Sequence, residues 1–127
     1  AAFTRATEID KNFAMAYYTL SGTNANLGDV TGALEALGKA WQLRSKTAEP
    51  DRLMIEARYY FWNQGDLAKA SEVYETILLK YPHYQRAYIA LALAYYHLLE
   101  FDKANTTVLR GLKNDSLNKL MWNWVAY

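Results

Sequence analysis

Apolar positions along this chain recur three and four residues apart, and glycine, proline or aspartate interrupts them at regular intervals. Such spacing predicts amphipathic helices, and the interruptions predict where each one ends. A helical face opens at Phe13-Ala14-Met15-Ala16-Tyr17-Tyr18-Thr19-Leu20 and breaks at Gly28-Asp29. Glycine suits the left-handed residue that stops a helix, and aspartate suits the cap of the next. Val30 to Leu43 reads as a second helix. Pro50 precedes a third, capped by Asp51 and running to about Gln64. Gly65-Asp66 turns the chain into Leu67 to Tyr81, and Pro82 marks another boundary. Gln85 to Leu98, a turn at Leu99-Glu100, and Phe101 to Lys113 follow. After a break at Asn114-Asp115-Ser116, a last helix is expected from Leu117.

These elements repeat. A shift of 34 residues lays Met54 on Tyr88 and Tyr88 on Trp122, Ala57 on Leu91 and Val125, and Ala70 on Ala104. The same shift lays Asp66 on Glu100, Leu67 on Phe101, Lys69 on Lys103 and, upstream, Phe3 on Leu37, Ala6 on Ala40 and Ile9 on Leu43. A shift of 37 lays Tyr17 on Met54, Gly28-Asp29 on Gly65-Asp66 and Ala33 on Ala70, which places a three-residue insertion near Ser45–Pro50. Each period is two helices. Small residues occupy the registers where the two must touch: Ala33, Ala70 and Ala104 in one, and Ala6, Ala40 and Gly111, with Ile77, in another. Tyr17, Tyr88 and Trp122 recur near the start of the first helices, where aromatic rings fill gaps between neighbours.

The pattern resembles the tetratricopeptide repeat family over the whole chain. The likeness rests on the 34-residue period, the aromatic of the first helix, the leucine three residues on (Leu20, Leu91), the Gly-Asp turn, and the alanine five residues after each glycine. There are departures. Lys11, Ser45 and Ser116 stand where a proline is expected, and only Pro82 fits. The small residue after the leucine is Ser21 or Ala92 in two repeats but Arg58 in the middle one, and Gly111 replaces an alanine. The resemblance implies an all-α, right-handed superhelix of antiparallel helix pairs. Residues 1–12 would be the second helix of a preceding repeat; 13–47, 50–82 and 84–115 are full repeats; 117–127 is the first helix of a truncated one. It also implies a non-enzymatic scaffold that binds a protein or peptide. Ala6 to Phe13 and Met54 to Phe61 look like repeats appended to bacterial serine/threonine kinases and winged-helix regulators.

Composition narrows the classes. At 127 residues, 52% hydrophobic and 21% charged, the chain can bury a core. A net charge of +1 makes no electrostatic case for nucleic acid or an anionic membrane surface. The longest apolar run, Ala87 to Tyr96, is half of the roughly 20 residues a membrane span needs. There is no cysteine, so neither a disulfide framework nor a thiolate metal site is possible. The chain opens without Met, inside a helical pattern, and is expected to be a piece of a longer protein.

Candidate chemistry is sparse. The glycines form no phosphate-cradling motif, and His83 and His97 have no metal-ligand spacing, so no cofactor or metal is expected. His83 reads as a solvated turn residue. Glu72 and Glu75 share a helix side and read as surface. Asn105-Thr106-Thr107 and Asn114-Asp115-Ser116 match a glycosylation tripeptide only by composition.

In such a solenoid the first helix of each pair lines the inner wall. Helical phase puts Tyr18, Gly22, Ala25 and Asn26 there in one repeat, and Arg52, Glu56, Tyr59, Trp62 and Asn63 in the next. Arg86, Ile89, Leu93, Tyr96 and His97 follow, with Asn123, Trp124 and Tyr127 from the last helix. Tyr17, Phe61, Tyr74, Tyr88, Tyr95 and Phe101 read as core. Some family members clamp a C-terminal carboxylate; the matching places here hold Tyr18, Gly22, Glu56, Arg86 and Ala90, so only Arg86 keeps that character. Two other roles are open at this stage. The chain could self-assemble by stacking ends that carry Phe3 and Leu120-Met121-Trp122, or it could sense a small molecule near Tyr59 and Tyr96.

Overall fold

The computed structural model describes residues 13–114. Asn123, Trp124 and Tyr127, and the half repeats expected at 1–12 and 117–127, lie outside these residues. Among the described residues all regular structure is helical: α1 (Phe13–Asn26), α2 (Val30–Leu43), a 3-10 turn (Arg44–Lys46), α3 (Asp51–Trp62), α4 (Leu67–Lys80), α5 (Gln85–His97) and α6 (Phe101–Lys113). The chain divides into two compact units, one ending at Asp66 and the other beginning at Leu67.

In the first unit α1 and α2 form an antiparallel hairpin, and α3 packs against both. The seam is built of small side chains. Ala14 of α1 and Ala33, Ala36 and Ala40 of α2 are buried, and Leu37, Met54 and Ile55 supply the bulk. Gly28, at a φ of +83°, stops α1, and the Asp29 N–H returns to the Asn24 carbonyl at 2.8 Å. Asp29 then caps α2 by accepting the Gly32 N–H at 2.9 Å. A cap of this kind is worth about 1 kcal/mol. Asp51 is the first residue of α3 and not its cap; the cap position is Pro50, which makes no side-chain cap bond.

In the second unit α5 packs against α4 and α6. Ala70, Tyr74, Ile77 and Leu78 of α4 are buried, as are Ala87, Tyr88, Leu91 and Ala94 of α5. On α6 the buried face is Ala104, Thr107 and Gly111. The alanine of the repeating register is thus buried in both units. Gly111 is more than a weak alanine. A Cβ there would lie 3.0 Å from both Cβ and Cγ of Tyr88. Tyr88 cannot yield, because its hydroxyl donates to the Pro82 carbonyl at 2.7 Å and accepts from Asn114 Nδ2 at 3.1 Å. His83 shares this corner, with Nδ1 3.1 Å from the Asn114 carbonyl. The α5–α6 turn repeats the first, with the Glu100 N–H 2.9 Å from the Tyr95 carbonyl, but Leu99 holds the left-handed place at a φ of +63°.

Two substitutions at glycine-related positions should therefore act in opposite directions. Gly111→Ala gains about 1 kcal/mol of helix propensity but forces apart a pinned ring, for a net loss of about 1–2 kcal/mol. Leu99→Gly removes left-handed strain from an exposed residue and should gain about 1 kcal/mol. Urea unfolding midpoints check both; a stabilised Gly111→Ala chain would mean that Tyr88 is free to move.

Candidate functional site

The first unit draws most of its candidate wall residues into its own framework. Tyr18 is 5% exposed, with the Arg58 guanidinium 3.8 Å from its ring centroid. Tyr59 stacks on Trp41 at 4.2 Å, Tyr60 meets the same ring edge-on, and the Arg44 guanidinium lies 3.5 Å from the Trp41 centroid. Glu56 takes Arg44 Nε at 3.2 Å and Arg52 Nη1 at 3.4 Å, while Arg52 Nη2 reaches Glu49 at 2.7 Å. Asn63 is half-buried and donates to the Leu34 carbonyl. Arg52, Glu56 and Tyr59 are thus committed within the unit, and only Asn26 of the wall set is freely exposed. Gly22, Ala25 and Trp62 are half-buried.

The second unit is different. The buried face of α5 is one side only. On the opposite side Arg86, Ile89, Leu93, Tyr96 and His97 recur at helical spacing and are all exposed. Ile89 is 67% exposed, Leu93 52% and Tyr96 57%. The apolar surface continues past the helix end, where the Tyr96 ring meets Phe101 edge-on at 5.3 Å and Leu99 stands exposed. Phe101, expected in the core, is half-exposed. Arg86 has no hydrogen-bond or ion-pair partner among the described residues, whereas His97 contacts the Tyr96 ring. A helix apolar on two opposite faces has one face more than its own packing uses.

A polar recess lies elsewhere on this unit, with Glu75, Tyr95, Lys103, Thr106 and Arg110 in its walls. Glu75 is not a plain surface acid. It accepts the Tyr95 hydroxyl at 2.8 Å and Arg110 Nη1 at 3.2 Å, so the recess is internally paired. Burial, then the hydrogen bond to the Glu75 carboxylate, pushes the Tyr95 phenol up to about 12. Burial also raises Tyr88. Among the described residues, no cluster of three or more His, Asp or Glu could hold a metal, and no helix is long and apolar enough to cross a membrane.

A tetratricopeptide repeat model matches residues 61–126, just over half of the chain. Two crystal structures of MamA are similar to it. One is 26% identical, with a TM-score of 0.54, over 92% of this chain and 67% of that one. The other is 27% identical, with a TM-score of 0.52, over 90% of this chain and 61% of that one. This chain therefore spans about two thirds of the length of those proteins. No curated protein matches it.

The Tyr95 phenol has a measurable consequence. A phenol whose pKa is raised by folding stabilises the fold below its unfolded value of 10.0 and loses that contribution as pH rises through about 12. In a Tyr95→Phe chain the tyrosinate absorbance titration should lose a step near 12. A step near 12 that persists in that chain would contradict the geometry.

Proposed function

This chain belongs to the tetratricopeptide repeat family, and on that premise we propose that the exposed face of α5 holds a segment of a partner protein. Repeats of this family mediate protein–protein interaction and are typically non-enzymatic scaffolds. The observation that carries the reading is the stripe Ile89, Leu93 and Tyr96, apolar and exposed on a helix whose other face is fully packed. Exposed apolar patches of this kind mark interaction sites. Covering each side chain is worth about 1–2 kcal/mol. Arg86 at one end, unpaired among the described residues, favours a partner segment that carries an acidic group beside its apolar residues. Asn26 and Trp62 of the first unit, and Asn123 and Trp124 beyond the described residues, remain candidates for the same role in neighbouring repeats. A place within the repeat region of a larger bacterial regulatory protein is part of this proposal, supported by the sequence of residues 54–61.

Peptides selected from a display library against the wild-type chain test the face. Leu93→Asp should weaken their binding about tenfold or more with helicity unchanged. Arg86→Ala should weaken it less, and only for acidic peptides at low salt. Equal affinities for all three chains would overturn the assignment. A dimer mass in light scattering that Leu93→Asp abolishes would replace the partner segment with a second copy of the chain.

A further inference from the structure

Five arginines lie among the described residues. Arg44, Arg52 and Arg110 each pair with a glutamate, and Arg86 is exposed. Arg58 is the exception, half-buried and with no carboxylate partner among the described residues. It stands on α3 in the register that holds Ser21 and Ala92 in the other repeats, where a small side chain is the rule. Its Cζ lies 3.8 Å from the Tyr18 ring centroid and 4.7 Å from that of Trp62. Nη1 donates to the Tyr18 carbonyl at 3.1 Å and to Ser21 Oγ at 3.2 Å. Gly22 leaves the neighbouring surface of α1 low, since even a Cβ there would come no closer than 3.5 Å to Nη1.

A guanidinium has five N–H donors in a planar fork. The two on Nη1 are used here, which fixes the plane and the orientation of the group. The remaining three sit on Nε and Nη2, and neither atom is buried without a partner. Nε and Nη2 are the parallel pair that a carboxylate takes side-on. The aromatic surfaces of Tyr18 and Trp62 lower the local dielectric and hold the cation without neutralising it. Arg58 brings one cation to these two rings, which matches one negative charge better than a phosphate dianion.

We propose that Arg58 is a receiving site for a single carboxylate, taken through Nε and Nη2 beside the rings of Tyr18 and Trp62. The site belongs to the first unit and does not depend on the α5 face. A chain-end carboxylate and a glutamate or aspartate side chain share this chemistry.

The test is an NMR titration of the ¹⁵N-labelled chain, following the Arg58 Nε–H, which is assigned by its contacts with the Tyr18 and Trp62 ring protons. N-acetyl-leucine carries a chain-end carboxylate, N-acetylglutamate α-amide a side-chain carboxylate, and N-acetyl-leucinamide no charge. The expected result is a saturable Arg58 shift with a carboxylate probe, absent with the amide and absent from Arg86. Saturation by N-acetyl-leucine alone assigns the chain end as the ligand, by the glutamate probe alone the side chain, and by both a carboxylate of either origin. In a folded Arg58→Lys chain the Tyr18 and Trp62 ring signals should lose their response, because an ammonium keeps the charge but not the fork. Arg58 shifts no larger with carboxylate than with amide, or unsaturable shifts shared by Arg86, would overturn the proposal; the wild-type chain suffices to decide.

Discussion

Two helices can bring their backbones close together only where the residues between them are small. In this chain Ala14, Ala33, Ala36 and Ala40 make that contact in the first unit, and Ala70, Ala87, Ala94, Ala104 and Gly111 are the small buried residues of the second. The close approach fixes which way every other side chain points. Tyr88 lies against the bare Cα of Gly111, its hydroxyl then reaches Pro82 and Asn114, and the corner of the unit is tied. With that face of α5 spent on packing, Ile89, Leu93 and Tyr96 on the opposite side are left largely exposed.

Charge is used unevenly on top of this framework. Arg44, Arg52, Glu49 and Glu56 satisfy one another around the stacked Trp41 and Tyr59 rings, and Glu75, Tyr95 and Arg110 do the same in the second unit. Pairs exposed to this degree contribute little stability, typically about 0–1 kcal/mol each. Their effect is to remove those groups from the pool available to a partner. Of the arginines among the described residues, Arg58 and Arg86 are left without a carboxylate: one held against two rings, the other at the end of an apolar stripe.

The fold was legible in the sequence because its determinants are local and periodic. Gly28 and Gly65 take the left-handed turn that their spacing demands, and the helix limits at Val30, Leu43, Phe101 and Lys113 follow from the breaks between apolar runs. Leu99 shows that the turn geometry outranks the residue's own preference. The site was less legible, because helical phase says which way a residue faces but not what it meets. Phase assigns Arg52, Glu56 and Tyr59 to an open wall, but partners from α2, the 3-10 turn and the loop before α3 engage them. Trp41 and Arg44, which do much of that engaging, sit on α2 and on the 3-10 turn after it, outside the first helices expected to line the wall. Arg58 was visible only as an intruder in a small-residue register; its pairing with Ser21 and Tyr18 spans about 40 residues and no local pattern encodes it.

The central claim is that the exposed face of α5 is surplus to folding. Its most direct test is the unfolding free energy of the triple variant Ile89→Ser, Leu93→Ser, Tyr96→Ser, measured in urea against the wild-type chain. If the face is surplus, the three exposed changes together cost no more than about 1 kcal/mol. A loss of about 5 kcal/mol or more, as for residues in a packed core, would show that the face is already covered and would contradict the account.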